Sequence, residues 1–178
     1  MHDDIKAVIY SEEQIKKRVK ELADVISRDY SEGELLTVGI LKGAVVFYSD
    51  LLREISRPAR MDFMVLSSYG ASSVSTGVVR ILYDLEEDIS GKHVLIIEDI
   101  VDTGLTLHYL TKALSSRSPK SLKVCCLFDK PSRRKTDFTP DYVGFSVPDV
   151  FIVGYGLDYS EKYRNLKYVG ELKPEIYT

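Results

Sequence analysis

The stretch VLIIEDIVDTGLT (residues 94–106) contains the features that decide the fold. It begins with a nearly continuous apolar run, which is typical of a parallel β-strand buried on both faces. Two adjacent carboxylates, Glu98 and Asp99, end that run, and two apolar residues separate them from Asp102. Small and hydroxyl residues then open a helix predicted over about 104–116. The stretch therefore predicts a strand–turn–helix unit of a parallel α/β sheet.

The turn between this strand and helix combines groups that suit a phosphate. A helix N-terminus exposes backbone N–H groups and the positive end of the helix dipole. Thr103 and Thr106 add hydroxyl donors, and Gly104 lets the backbone approach an anion closely. With the two carboxylates nearby, the turn suits a sugar that carries a phosphate and diol hydroxyls. On spacing alone, an equally good interpretation is that Asp102 or Thr103 only caps the helix and the carboxylates are solvated.

Composition narrows the class of protein. The 178 residues are 44% hydrophobic and 29% charged, as in a soluble globular protein, and they predict one domain spanning 1–178. A net charge of −3 argues against broad nucleic-acid binding. No apolar run approaches the roughly 20 residues of a membrane span. The acidic start of the chain does not resemble a secretory signal, and adjacent Cys125 and Cys126 offer no disulfide framework, so a cytoplasmic location is expected.

Strands and helices are predicted to alternate, which favours a mostly parallel twisted sheet flanked by helices. Ser11 and Gln14 form a capping-box pattern ahead of a helix with apolar residues at spacings of three and four. A second helix is predicted at 44–55, and the small, polar segment 69–77 is predicted to be a mobile loop. Open sheets of this class bind ligands at the carboxyl ends of their strands. Strands are predicted at 35–41, 61–68, 78–85, 93–99, 122–128, 141–147 and 151–155.

Several segments resemble type I phosphoribosyltransferases, and among them the bacterial hypoxanthine-guanine phosphoribosyltransferases. The run VLIIEDIVDTGLT resembles the motif by which this family binds phosphoribosyl pyrophosphate (PRPP). The resemblance spans about 9–171. The other matching segments follow the family order: LKGAVVF (41–47), SSYG (67–70), DKPSRR (129–134), VPDVFIVGYGLDY (147–159) and YRNL (163–166).

The resemblance implies a fold and an activity. The implied fold is the type I phosphoribosyltransferase fold, with a small hood formed by the N-terminal segment and about 145–178. A flexible lid at about 68–77, including Ser68 and Tyr69, would close over the pyrophosphate. The implied reaction is purine salvage: Mg²⁺-dependent transfer of the 5-phosphoribosyl group of PRPP to hypoxanthine or guanine, which yields IMP or GMP and pyrophosphate.

The family motif assigns the donor residues. Glu98 and Asp99 would bind the ribose hydroxyls, directly or through magnesium-bound water. Asp102 would also serve as the general acid/base for the imidazole-ring proton of the purine. By resemblance, the 5-phosphate would be held by Asp102, Thr103, Gly104, Leu105 and Thr106.

The same resemblance assigns the pyrophosphate and metal residues. Lys42, Gly43 and Arg164 would bind pyrophosphate, and the family commonly has a cis peptide at the position of Leu41–Lys42. Asp158 would bind Mg²⁺ together with the carboxylates Glu98 and Asp99. The alternatives are that Lys42 is an ordinary surface lysine and that Arg164 forms a surface ion pair.

The purine would be bound by residues late in the chain. Lys130 would donate to the six-position oxygen, and an ammonium, which has only donors, favours an oxo purine over adenine. Phe151 would stack on the base, although an aromatic in a strand is often core packing. Ile152 would offer backbone groups to the ring edge, and Asp158 would lie near the two-position.

Other functions share parts of this pattern. A PRPP enzyme could accept xanthine, adenine, a pyrimidine or orotate. The residues assigned to the purine favour a 6-oxopurine but discriminate poorly among hypoxanthine, guanine and xanthine. A PRPP-sensing regulator would carry a DNA-binding segment or a basic face, and neither is visible in the sequence. The expected partners are small-molecule substrates, with no nucleic acid and no membrane. By family resemblance the chain is expected to form a homodimer or homotetramer.

Overall fold

The computed structural model of the protein describes residues 1–68 and 79–177, and it describes Ser68 by its backbone alone. The lid predicted at about 68–77, including Tyr69, therefore lies outside the described residues apart from the backbone of Ser68. None of the helices within these ranges is long and apolar enough to cross a membrane.

The described residues form nine strands, four helices and two single 3-10 turns. The strands are β1 (Ile5–Tyr10), β2 (Leu35–Leu41), β3 (Arg60–Ser68), β4 (Val79–Tyr83), β5 (His93–Val101), β6 (Ser121–Asp129), β7 (Tyr142–Ser146), β8 (Ile152–Val153) and β9 (Val169–Leu172). The helices are α1 (Glu12–Asp29), α2 (Val45–Glu54), α3 (Leu105–Ser115) and α4 (Pro174–Tyr177), and single 3-10 turns lie at His2–Asp4 and Pro131–Arg133.

The central sheet has six strands in the order β4-β3-β2-β5-β6-β7. The pairs β2–β3, β2–β5, β5–β6 and β6–β7 are parallel, whereas β4 runs antiparallel to β3 at the edge of the sheet. The predicted class, a mostly parallel sheet flanked by helices, is confirmed.

Alternate residues of the central strand β5 pack into two separate cores. Leu95 and Ile97 contact the core beneath α1 and α2, whereas Val94 and Ile96 contact the core beneath α3. All four side chains are fully buried. Burying an aliphatic side chain of this size contributes about 1.5–3 kcal/mol, so the apolar run that identifies the strand also fixes the helices on both faces.

The first helix begins where its capping box predicts. The Ser11 hydroxyl accepts a hydrogen bond from the backbone N–H of Gln14 at 3.3 Å, and the Gln14 side chain accepts from the Ser11 N–H at 2.8 Å. The two cysteines are free and buried, in agreement with their interpretation as small packing residues.

A second, three-stranded antiparallel sheet has the order β1-β9-β8. The sequence pattern does not predict β1, β9 or the short helix α4. In this sheet Ile5 pairs with Leu172, so its formation depends on contacts between the two ends of the chain. Strands of two and four residues carry too little periodicity to be recognised locally.

The strand that carries the two carboxylates is longer than predicted. The sequence analysis ends it at Asp99, but the pairing with β6 continues through Ile100 and Val101. Glu98 and Asp99 therefore lie within the strand, three and two residues before its last residue, and only Asp102 follows it directly. The correction places both carboxylates on the rigid sheet.

Candidate active site

Three parallel strands of the central sheet end at the same edge. Lys42 is the first residue after β2, Asp102 the first after β5, and Lys130 the first after β6. Because carboxyl ends of parallel strands meet at one edge, residues separated by up to 88 positions (130 − 42) are collected there.

Three adjoining cavities open at this edge. The Lys130 cavity has a volume of about 250 Å³ and is lined by Asp99, Ile100, Asp102, Lys130, Phe151, Ile152, Leu157 and Asp158. The Gly43 cavity, of about 240 Å³, is lined by Ile40, Leu41, Gly43, Leu66, Glu98, Asp99, Thr106, Asp158 and Arg164. The Thr103 cavity, of about 110 Å³, is lined by Glu98, Ile100, Val101, Asp102, Thr103, Gly104, Thr106 and Leu107. Shared lining residues join the three into one continuous site.

Lys130 is a buried cation in the wall of the first cavity. Only 7% of the residue is exposed, and its Nζ donates to the carbonyl of Val150 at 2.7 Å. Its backbone N–H donates to the carbonyl of Val101 at 2.9 Å, which ties the residue to the end of β5. Burial lowers the pKa of Lys130. The ammonium can offer its remaining N–H donors to an acceptor in this cavity.

Phe151, which lines the Lys130 cavity, belongs to an aromatic cluster. Its ring stacks on Tyr177 with a centroid distance of 4.8 Å and an interplanar angle of 24°, and it meets Tyr159 edge-on at 5.6 Å. The next residue, Ile152, begins β8 and lines the same cavity. Phe151 is thus held by neighbouring rings while it lines the cavity, so packing and base stacking are compatible at this position.

The turn after β5 has the geometry of an anion cradle. Gly104 adopts φ 80°, and a Cβ there would lie 2.8 Å from both the Arg134 side chain and the Thr136 hydroxyl. Helix α3 begins at the next residue, Leu105, whose N–H donates to the Thr103 hydroxyl at 3.4 Å. The glycine therefore allows a tight turn, and Gly104, Thr106 and Leu107 at the start of α3 line the Thr103 cavity, where a helix N-terminus favours an anion.

Asp102 stands between the Lys130 cavity and the Thr103 cavity. Its Oδ1 lies 2.7 Å from Nε of Arg133, and its backbone carbonyl accepts from Nη1 of Arg134 at 2.7 Å. Arg133 also pairs with Asp149 at 3.1 Å. The sequence analysis does not identify Arg133; its position in the basic loop DKPSRRK is the only signal that could have suggested it.

The two strand carboxylates are partly buried and poorly compensated. Burial raises the pKa of Asp99 to about 6, against hydrogen bonding by the Ile100 N–H at 2.7 Å, which lowers it. Burial and the charge of Asp99 raise the pKa of Glu98 well above its usual range. Glu98 Oε2 is buried and has no hydrogen-bond partner among the described residues. Gly43 packs directly against Asp99, since a Cβ there would lie 1.8 Å from Oδ2.

The residues expected to bind pyrophosphate are paired with acids. Arg164 Nη2 lies 2.8 Å from Asp158 Oδ1, and its Nη1 donates to the carbonyl of Gly156 at 2.8 Å. Lys42 is largely exposed and lies 3.3 Å from Glu161. The Leu41–Lys42 peptide bond is cis, as the family resemblance implied.

The structure gathers most of the predicted residues around the three cavities. Lys42 and Leu105 do not line them, and within residues 1–68 and 79–177 no three carboxylate, histidine or cysteine side chains form a ready metal cluster. The predicted residues that do line a cavity are Gly43, Glu98, Asp99, Asp102, Thr103, Gly104, Thr106, Lys130, Phe151, Ile152, Asp158 and Arg164.

Comparisons with known proteins agree with this geometry. Residues 7–160 match the family described as phosphoribosyl transferase domain. A hypoxanthine-guanine phosphoribosyltransferase of Bacillus subtilis is 52% identical over 177 residues, which cover 99% of this chain and 98% of that protein. A protein of the same name from Mycobacterium tuberculosis is 51% identical over 180 residues, 98% of this chain and 89% of that protein.

A solved structure matches the fold over its whole length. The crystal structure of a hypoxanthine phosphoribosyltransferase from Staphylococcus aureus is similar with a TM-score of 0.97 at 50% identity, covering 100% of this chain and 97% of that chain. This chain therefore belongs to the phosphoribosyltransferase family.

Proposed function

We propose that this protein transfers the 5-phosphoribosyl group of PRPP to hypoxanthine or guanine and releases pyrophosphate. The observation that carries the proposal is the Lys130 cavity, where a buried ammonium and an aromatic ring line a space that adjoins a phosphate cradle. The relatives named above, which are called hypoxanthine-guanine phosphoribosyltransferases, support the same acceptor.

The acceptor site favours a 6-oxopurine. Lys130 has one N–H engaged by the Val150 carbonyl, and an oxo group would accept from another. The amino group of adenine would place donors against donors and leave a buried charge without an acceptor. Phe151 would stack on the ring, and the backbone of Ile152 would bind its edge. Asp158, which also lines this cavity, would lie near the two-position.

The donor site follows from the turn after β5. The backbone and hydroxyl donors of residues 102–106 would hold the 5-phosphate in the Thr103 cavity, where the N-terminus of the 11-residue helix α3 supplies a favourable dipole. Glu98 lines both this cavity and the Gly43 cavity, Asp99 lines the Gly43 cavity beside it, and the two carboxylates would bind the ribose hydroxyls. PRPP, the phosphoribosyl donor, would therefore extend from the Thr103 cavity to the Gly43 cavity.

The pyrophosphate end would occupy the Gly43 cavity. Arg164 offers a guanidinium and Gly43 a backbone close to Asp99, and the preceding residue along the chain, Lys42, carries an exposed ammonium. When PRPP enters, its oxygens would replace the acids that now pair with these cations. The lid residues Ser68 and Tyr69 would then cover the pyrophosphate and exclude water from the reacting carbon.

The carboxylates fit a divalent cation. Asp99 and Asp158 line the same cavity, the charge of Asp158 contributes to the raised pKa of Asp99, and Glu98 presents a buried oxygen that has no partner within residues 1–68 and 79–177. This excess of negative charge is what Mg²⁺ with pyrophosphate oxygens and waters would neutralise. Bound Mg²⁺ would stabilise the charge that develops on the leaving pyrophosphate.

Asp102 would act as the general acid/base. It lines both the Lys130 cavity and the Thr103 cavity, so it lies between the base and the sugar phosphate. Its carboxylate would accept the imidazole-ring proton of the purine as the bond to the ribose carbon forms. Arg134, which binds the Asp102 carbonyl, would hold the backbone of the turn in place.

We further propose a single domain, 1–178, in which the three-stranded sheet serves as the hood over the base. By family resemblance the protein would assemble into a homodimer or homotetramer. The location would be cytoplasmic. Light scattering after size exclusion tests the assembly, and a monomeric mass at micromolar protein would count against it.

The proposal is tested by nucleotide formation. The protein is incubated with Mg²⁺, PRPP and one base at a time (hypoxanthine, guanine, xanthine, adenine or uracil), and products are separated by chromatography. We expect IMP and GMP, and EDTA should abolish both. A result with product from xanthine alone would select the alternative acceptor, and no product from any 6-oxopurine would overturn the proposal.

A further inference from the structure

Tyr155 has an unusual conformation next to the active site. It lies between Gly154 and Gly156 and adopts φ 50°, a region that residues with side chains rarely occupy. Its side chain is buried, with 6% of the residue exposed, and its hydroxyl donates to Asp50 Oδ2 at 2.6 Å. Burial and the Asp50 carboxylate raise the pKa of Tyr155, so the hydroxyl remains a donor throughout the neutral range.

The two partners belong to the two segments that form the pyrophosphate end of the site. Asp50 lies on α2, which begins two residues after Gly43. The segment that contains Tyr155 continues to Asp158 and Arg164, and its backbone N–H at Tyr155 donates to the carbonyl of Leu166 at 2.9 Å. The hydrogen bond therefore joins the Gly43 segment to the Arg164 segment.

The backbones of these segments touch at a second point. A Cβ on Gly156 would lie 2.2 Å from the carbonyl oxygen of Gly43, so the two backbone segments are in van der Waals contact. The carbonyl of Gly156 accepts from Nη1 of Arg164 at 2.8 Å. A shift of Tyr155 would move Gly156, and with it both the contact to Gly43 and the anchor of Arg164.

Packing alone does not account for the hydroxyl. A phenylalanine would fill the same core position, and Asp50 already has an ion pair with Arg53 on the next turn of α2. The phenol instead adds a directed bond to a carboxylate, a class of hydrogen bond worth more than a neutral one.

We propose that Tyr155 and Asp50 are positioning residues that hold Arg164 against the Lys42–Gly43 loop. The pair thereby sets the affinity for the pyrophosphate end of the donor, and it has little effect on hypoxanthine, which carries no substituent at the two-position near Asp158. This inference rests on the proposed function for its substrate, but its structural content concerns the binding of pyrophosphate itself.

The test is Tyr155→Phe, which removes one oxygen and keeps the ring. KM for PRPP should rise about tenfold, as expected for loss of a hydrogen bond to a charged group, while KM for hypoxanthine stays within about twofold. The affinity for inorganic pyrophosphate with Mg²⁺, measured by calorimetry, should fall by a similar factor. Equal changes in both KM values, or none, would overturn the proposal.

A matched control is Tyr142→Phe. Tyr142 is also buried, and its hydroxyl donates to Asp29 at 2.6 Å, far along the chain from the pyrophosphate residues. We expect this variant to lower Tm without changing KM for PRPP. If it raises KM for PRPP as much as Tyr155→Phe does, the effect is one of general stability and the proposal fails.

Substitutions of Asp50 complete a double-mutant cycle with Tyr155→Phe. Asp50→Ala should raise KM for PRPP as Tyr155→Phe does, and the double variant should be no worse than either single one. Asp50→Asn retains an acceptor and should restore most of the affinity. Additive losses in the double variant would show that the two residues act separately. If the wild-type protein forms no nucleotide but the pyrophosphate affinities follow this pattern, the proposed function fails while the positioning role stands.

Discussion

Replacing Asp99 with asparagine should stabilise the protein in the absence of ligands. Burial raises the pKa of this carboxyl from 3.8 to about 6, so at neutral pH the folded protein keeps a negatively charged carboxylate that has lost part of its hydration. A rise of about two pKa units corresponds to about 3 kcal/mol, since each unit is about 1.4 kcal/mol. Asparagine keeps the acceptor for the Ile100 N–H, which bonds to Oδ1 at 2.7 Å.

The pH dependence of this effect has a definite sign. A carboxyl whose pKa is higher in the folded than in the unfolded protein destabilises the fold above the folded value. That destabilisation is fully present above about pH 6 and is lost as the pH falls toward 4. The advantage of Asp99→Asn should therefore be largest at pH 7.5 and should shrink at pH 5.

The assay is thermal unfolding followed by circular dichroism in EDTA. At pH 7.5 the variant should melt about 6–10 °C higher than the wild type, because about 3 kcal/mol moves Tm by roughly that amount in a domain of this size. Asp24→Asn, at an exposed position of α1, should leave Tm unchanged. An Asp99→Asn variant that melts at or below the wild-type temperature would contradict this expectation, as would an advantage at pH 5 as large as the one at pH 7.5.

Three further substitutions test separate parts of the site. Asp102→Ala should lower kcat by about 10²–10⁴-fold with KM for PRPP nearly unchanged, because a general base acts only in the chemical step. Initial rates at saturating substrates measure kcat, and equal losses in kcat and PRPP affinity would mean that Asp102 only contributes to the phosphate cradle. Phe151→Leu should raise KM for hypoxanthine by about 3–10-fold through lost stacking, while KM for PRPP stays unchanged in the same steady-state measurements. If the variant keeps the wild-type KM for hypoxanthine, Phe151 does not bind the base. Gly43→Ala places a Cβ 1.8 Å from an Asp99 oxygen and should abolish PRPP binding in calorimetry, whereas retained affinity would mean that the loop can move aside.

Most of the central sheet is predictable from the sequence because its signals are local. The run from Val94 to Ile97 is apolar at every position, and a strand buried on both faces needs that composition. The end of the strand is a different matter. Glu98 and Asp99 resemble a terminator, yet β6 continues to pair beside them, and that pairing depends on a segment about 30 residues away.

The three-stranded sheet could not be found in this way. The side chains of β1 are mostly exposed or half-buried, and β8 has two residues, so neither shows a periodic apolar face. The sheet exists because Ile5 and Leu172 meet, which requires the rest of the fold to be in place first. Local propensity contains no information about such a contact.

The residues of the site likewise fall into those that local sequence reveals and those that only tertiary contacts bring together. The phosphate cradle lies within one strand–turn–helix unit, so adjacent residues such as Thr103 and Gly104 reveal it. The contacts of Arg133 with Asp102 and of Tyr155 with Asp50 join different loops and elements. They depend on side-chain conformation, and only the folded structure contains them.

If the buried ammonium of Lys130 selects a 6-oxopurine, the preference for hypoxanthine over adenine should depend on its charge. The ratio of kcat/KM for hypoxanthine to that for adenine is measured in the wild type and in Lys130→Met, which keeps an unbranched side chain without the charge. We expect a wild-type ratio of about 10³ or more and a fall of at least about tenfold in the variant. Comparable use of adenine by the wild type, or an unchanged ratio in Lys130→Met, would show that Lys130 does not select the base.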